Sequence, residues 1–119
     1  MMKEYKVVLH INETERWQVA LGNAANLLKA AGERKAEAVC LANGSAVLSY
    51  EDAALVAAMR ELAGKGVLFL ACRNSMRKMK EDKKIGIGEE GLPDFVQVVP
   101  AGILALVERQ QAGYAYVKP

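Results

Sequence analysis

Strands alternating with helices along the whole chain predict an α/β protein, with a mostly parallel sheet covered by helices on both faces. Three observations carry that prediction. The apolar runs at 6–11, 36–42 and 67–72 are short and mostly continuous, as in strands buried on both faces. The stretches between them repeat their apolar residues every three to four positions, which is a helical period. Glycines and an Asn-Gly pair punctuate the junctions.

Each element follows in order. Lys6-Val7-Val8-Leu9-His10-Ile11 reads as the first strand. Asn12 followed by Glu15 has the spacing of a capping box. The first helix should then run to about Ala31, with Trp17, Leu21, Ala24, Leu28 and Ala31 along one face and Gly32 as its stop. Ala36 to Ala42 is a second strand closed by Asn43-Gly44. Ser49, with Asp52 three residues later, should open a second helix that turns Leu55, Met59 and Leu62 inward. Val67 to Ala71 is the third and most apolar strand. A short helix with a basic outer face follows from about Asn74 to Asp82, and a glycine-punctuated loop occupies 83–93. Phe95 to Val99 is a fourth strand. Pro100 suits the first position of a fourth helix, which should bury Ile103, Leu104 and Val107. Tyr114-Ala115-Tyr116-Val117 alternates like an edge strand.

At 119 residues the chain fits one domain, spanning 1–119. With 52% hydrophobic and 25% charged residues it is globular in composition, which excludes a disordered chain. No apolar run is long enough to cross a bilayer. Met1-Met2-Lys3-Glu4-Tyr5 places an acid where a secretory leader is basic, so a cytoplasmic location is expected. Two cysteines do not make a disulfide framework, and with a single histidine they are too few for a structural zinc site. Neither a metal nor a cofactor is called for. The phosphate-loop, dinucleotide-binding and nucleophile-elbow signatures are absent, as is a Cys-x-x-Cys pair. The net charge of +2 is uneven: Arg73, Arg77, Lys78, Lys80, Lys83 and Lys84 stand against only Glu81 and Asp82 within 73–84. No aromatic residue is interleaved with that run, so nucleic acid is an unfavoured partner.

In an open α/β sheet, ligands bind beyond the carboxyl ends of the strands. Those ends carry His10-Ile11-Asn12, Asn43-Gly44-Ser45, Cys72-Arg73-Asn74-Ser75 and Pro100-Ala101-Gly102. Cys72 is the sharpest of these features. Its thiol should stand before a helix N-terminus with Arg73 beside it, and both favour the thiolate. The competing reading, a small hydrophobe ending a buried strand, is about as common. His10 is a candidate proton shuttle, or else a satisfied histidine near a strand end. Asn12 and Asn43 have structural explanations as a helix cap and a turn residue. Cys40, flanked by Val39 and Leu41, reads as core.

The chain resembles the DsrE/DsrF-like (YchN-like) family. The resemblance rests on Val7-Val8-Leu9-His10-Ile11-Asn12-Glu13, on Gly66-Val67 leading to Cys72-Arg73-Asn74-Ser75, and on Val98-Val99-Pro100-Ala101-Gly102 continuing to Gln110-Gln111-Ala112-Gly113-Tyr114-Ala115-Tyr116. It implies a three-layer α/β/α fold with sheet order 2-1-3-4-5 and the last strand antiparallel. His10 and Asn12 would then face Cys72 across a crevice between strands one and three. It also implies a sulfur-carrying cysteine at the end of strand three, here Cys72, and assembly into homotrimers or hexamers with other sulfur-relay proteins as partners.

Two functions follow. In the first, the protein is a sulfurtransferase-type carrier: Cys72 holds a persulfide, His10 exchanges protons, and Arg73, Asn74 and Ser75 stabilise the anion. In the second, a homo-oligomer binds an anionic small molecule or nucleotide without catalysis, using Asn12, Asn43, Arg73, Asn74, Ser75 and Gly102.

Overall fold

Five parallel strands form the sheet, in a computed structural model that describes residues 3–119. The elements are β1 (Tyr5–Ile11), α1 (Trp17–Ala31), β2 (Ala36–Ala42), α2 (Ala53–Ala63), β3 (Leu68–Cys72), α3 (Arg73–Glu81), β4 (Val96–Val99), α4 (Gly102–Gln111) and β5 (Ala115–Val117). Short 3-10 turns lie at Thr14–Arg16, Gly44–Glu51 and Glu89–Gly91. The α/β class and the nine main elements agree with the sequence reading.

The strand order is β4-β3-β2-β1-β5, and β5 pairs parallel with β1. Both points correct the expected 2-1-3-4-5 order with its antiparallel last strand. The reasons are physical. Every residue of β2 except Glu37 is buried, which is the signature of a central strand, whereas all three residues of β5 are exposed. Moreover, β4 reaches β5 through a helix, and a helical crossover delivers a parallel strand.

Right-handed crossovers also assign the helices to faces. As the chain steps from β1 to β4 in one direction, α1, α2 and α3 all fall on one side. There Leu9, Ile11, Ala38, Cys40, Phe69 and Ala71 pack with Trp17, Leu28, Met59 and Met76. The step back to β5 puts α4 alone on the other side, where Ala105 and Leu106 meet Val8, Val39, Leu41 and Leu70. The larger core is tied by two buried polar bonds. The Trp17 indole N–H donates to the Ala46 carbonyl at 2.9 Å, and the Tyr50 hydroxyl donates to the Leu70 carbonyl at 3.0 Å.

Several local expectations change. The Asn12 capping box does not form: the first turn is 3-10, and α1 begins only at Trp17. Asp52, not Ser49, caps α2, accepting from the Ala54 and Leu55 amides, while Ser49 is buried in the preceding 3-10 turn. In α4 the buried positions are Gly102, Ala105 and Leu106. Ile103, Leu104 and Val107 instead point outward, at 69%, 51% and 40% exposure. The close docking of Gly102 on the sheet rotates the helix to this register. The loop at 83–93 is clamped: Ile85 is buried, the Gly86 amide donates to the Glu51 carboxylate, and Lys80 donates to the Gly86 carbonyl.

Candidate functional site

The topology creates a crevice at the carboxyl end of the sheet between β3 and β4. The chain leaving β3 turns into α3 on one face, and the chain leaving β4 turns into α4 on the other. Outgoing connections on opposite faces open a cleft between two neighbouring strands. Cys72 pairs with Val99 at this point. The crevice therefore lies between β3 and β4 rather than between β1 and β3, with Cys72 on its wall.

Cys72 is the residue immediately before α3, and its side chain faces α4. The Gly102 amide, the first N–H of α4, donates to the Cys72 sulfur at 3.3 Å. Two helix N-termini thus converge on one sulfur, each with unsatisfied N–H groups and a partial positive charge. Burial raises the pKa of this thiol. Hydrogen bonds from the Ser75 hydroxyl and from the Ser75, Gly102 and Asn74 amides outweigh burial, and the thiol ends below its ordinary value. The Ser75 oxygen itself accepts from the Gly44 amide at 2.8 Å, which leaves its proton free for sulfur.

Cys40 shows what burial does alone. It lies inside β2 with no exposure, and burial pushes its thiol up to about 12.

A polar row crosses the same face at the strand ends, one residue from each of four strands or the turns after them. The Tyr116 hydroxyl meets His10 Nδ1 at 2.7 Å, and His10 Nε2 meets Asn43 Oδ1 at 2.9 Å. Asn43 then reaches the Cys72 side of the sheet. A Cβ on Gly102 would sit 3.4 Å from Asn43 Cβ, Asn43 Nδ2 and Cys72 Cβ alike. Gly102 therefore packs against the carboxamide and the cysteine together. Gly44 holds the turn that presents Asn43. Its φ is +55°, and any Cβ there would lie 3.0 Å from the Asn12 carbonyl oxygen.

Residues 6–119 match the family model described as the DsrE/DsrF-like family. The chain belongs to this family. A solved structure of a protein of unknown function, MTH1491 from Methanobacterium thermoautotrophicum, is similar to it at a TM-score of 0.82 and 30% identity. That match covers 97% of this chain and 99% of that one. No curated protein matches. The DsrE/DsrF-like family is linked to sulfur relay.

Within this DsrE/DsrF-like sheet, the sequence candidates fall into two groups. His10, Asn43, Cys72, Ser75 and Gly102 come together, with the Asn74 amide beside them. Asn12 does not join: its carbonyl accepts from the Ser45 hydroxyl at 3.4 Å, and its side chain bonds nothing among the described residues. His10 does not face Cys72 directly, because β2 lies between their strands and supplies Asn43. Arg73 turns away, its guanidinium paired with Glu89 at 2.9 Å. The basic face of α3 is also offset. Arg77 and Lys80 line a 390 Å³ groove together with Glu81, Glu89 and Glu90, and Cys72 is not part of it. Tyr116 escaped the sequence reading, because nothing in the sequence places the last strand beside β1. The one available signal was Tyr114-Ala115-Tyr116, which sets two tyrosines on one face.

No helix among the described residues is long and apolar enough to cross a membrane.

Proposed function

We propose that this DsrE/DsrF-like protein is a sulfur carrier of the sulfurtransferase type, with Cys72 as the persulfide-forming thiol. The observation that carries the proposal is the convergence of the α3 and α4 N-termini on Cys72, with the Gly102 N–H 3.3 Å from its sulfur. A thiol held below its ordinary pKa supplies the thiolate that attack requires. In the loading step the Cys72 thiolate attacks the outer sulfur of a donor persulfide, R–S–SH. The Cys72–sulfur bond forms, the donor S–S bond breaks, and the proton of the outer sulfur passes to the departing R–S⁻, so R–SH leaves and Cys72–S–S⁻ remains. Delivery reverses the roles: an acceptor nucleophile takes the outer sulfur, and the Cys72 thiolate is regenerated. The sulfur arrives already at the sulfane level, so no external oxidant or reductant is needed. Donors that stabilise the thiolate also suit the persulfide anion, the form in which the outer sulfur waits. The Ser75 hydroxyl and the amides of Asn74, Ser75 and Gly102 fill that role.

The carrier acts as a homo-oligomer, trimer or hexamer. Ile103 and Leu104 are the exposed neighbours of Gly102, and with Val107 they leave an apolar stripe on α4 directly beside the site. Other sulfur-relay proteins are the partners on either side of the transfer. A reducing, cytoplasmic setting suits two free cysteines and thiol chemistry of this kind.

The test is direct. The protein is incubated with glutathione persulfide, and the Cys72 peptide is weighed by mass spectrometry. One added sulfur on Cys72, absent in Cys72→Ser and reversed by a thiol acceptor, is the expected result. A Cys72 that alkylates readily yet gains no sulfur from any low-molecular-weight persulfide refutes the proposal.

A further inference from the structure

The contacts of His10 fix more than its own position. Asn43 Oδ1 can only accept, so the 2.9 Å contact requires a proton on His10 Nε2. In the neutral ring Nδ1 is then bare, and the Tyr116 hydroxyl, 2.7 Å away, must donate to it. The chain of donation therefore runs from Tyr116 to His10 to Asn43. It has one consequence for the cysteine: with Oδ1 held by the imidazole, the Asn43 NH₂ is the end turned toward Gly102 and Cys72, and it donates to no protein atom among the described residues. The opposite amide orientation would present Oδ1, which repels an anionic sulfur. The tautomer of His10 thus separates an attractive from a repulsive wall, and the Tyr116 hydroxyl, able to donate or accept, holds the ring in place.

We infer that Tyr116 and His10 are positioning residues: they hold the Asn43 carboxamide with its NH₂ toward Cys72, where it donates to the outer sulfur of the persulfide. This inference rests on the carrier reading given above and adds to it the group that recognises the cargo. The cargo class follows from the chemistry: the carboxamide offers an N–H donor beside Cys72, and a donor there favours an anionic sulfur on that residue. Sulfur enters by the balanced exchange already written, and the Asn43 NH₂ bonds the resulting Cys72–S–S⁻ without proton transfer.

The single histidine makes the test clean. Nitrogen-15 NMR of the imidazole reads the tautomer directly, and it should report the Nε2–H form in the native protein. In Tyr116→Phe the bond to Nδ1 is gone, so the imidazole loses its anchor and no longer holds the carboxamide in one orientation. Tyr116 is exposed, so this variant keeps the fold. Persulfide on Cys72, loaded from glutathione persulfide, should then be lost at least about tenfold faster, the loss expected for a missing hydrogen bond to a charged acceptor. Asn43→Asp, which replaces the NH₂ by an anionic oxygen, should lose it faster still. Asn43→Gln should recover part of the lifetime, a rescue that a purely structural role does not predict. A native Nδ1–H tautomer overturns the inference. So does an unchanged persulfide lifetime in Tyr116→Phe. A native protein that never takes up sulfur fails at an earlier step and overturns the carrier reading as well, so the two failures are distinguishable.

Discussion

Ser75→Ala probes the donor set around Cys72 most simply, because one hydroxyl serves two partners. Its oxygen accepts from the Gly44 amide at 2.8 Å, and its proton is available to the sulfur. Alanine keeps the helix and removes both bonds. Loss of the first leaves a partly buried amide unpaired, which destabilises the protein by about 1–2 kcal/mol in a urea titration. Loss of the second removes a hydrogen bond to a charged acceptor, about 1.5 kcal/mol or roughly a tenfold loss of thiol acidity. Reactivity changes less than acidity does, because a more basic thiolate is also a better nucleophile, with a Brønsted slope of about 0.4–0.5. On the acid side of the titration, attack on a small neutral disulfide should slow about threefold. On the alkaline side, where both proteins are fully ionised, the variant should be faster by about the same factor. The two rate–pH curves must therefore cross. Curves that superimpose, or that differ by one constant factor at every pH, would show that Ser75 does not set the acidity of Cys72.

Two further outcomes follow from other parts of the molecule. Cys40 has a folded-state pKa of about 12 against an ordinary 9.0, so its contribution to stability is complete below pH 9 and is lost as pH rises toward 12. At about pH 11 that loss is about 2.7 kcal/mol. Cys40→Ala should be about 1 kcal/mol less stable than the native protein at neutral pH, and more stable by about pH 11; a stability difference that does not change with pH refutes the assignment. Leu104→Glu places a charge on the apolar stripe of α4, 51% exposed and free of core contacts. It should lower the oligomeric mass in light scattering while leaving the unfolding midpoint of the dissociated chain intact, and a native protein that is already monomeric at high concentration would remove the proposed assembly.

The sequence carried the layer architecture because that information is local. Trp17, Leu21, Ala24 and Leu28 declare a buried helix face, and the continuous apolarity of 36–42 and 67–72 declares strands covered on both sides. Strand order is not local. The choice between 2-1-3-4-5 and the observed order depends on whether α1 shares a face with α2 and α3, which no local pattern shows, and α4 is apolar on both faces over its first half. That ambiguity also hid its register: Ile103, Leu104 and Val107 form as good an apolar stripe as Gly102, Ala105 and Leu106. The docking of Gly102 against Asn43 and Cys72 decides between the two, and no pairwise spacing in the sequence reveals that contact. The candidate site was half legible for the same reason. Cys72, Ser75 and Asn74 are close in sequence and follow from a strand running into a helix. Asn43 and Gly102 could be named as strand-end residues, but the packing of Gly102 against both Asn43 and Cys72 depends on the sheet order. Tyr116 depends on it entirely.

The two cysteines show why the carboxyl edge of such a sheet is where a reactive thiol can stand. By area they are nearly alike, at 0% and 5% exposure. Burial raises the pKa of each, yet Cys40 rises to about 12 and Cys72 falls below its ordinary value. Cys40 lies deeper, so burial disfavours its thiolate more, and the two sites differ besides in the supply of donors. Inside β2 the backbone N–H groups belong to the ladder, and none is left for a side chain. At the end of β3 the ladder stops and two helices begin. The first N–H groups of each have no partner within their own helix. A buried sulfur at that junction meets amides that need an acceptor, and the same amides favour its ionised form. Moving the cysteine one turn into either helix, or two residues back along β3, would keep it buried and remove those donors. The acidity of Cys72 is thus a property of the junction between β3, α3 and α4.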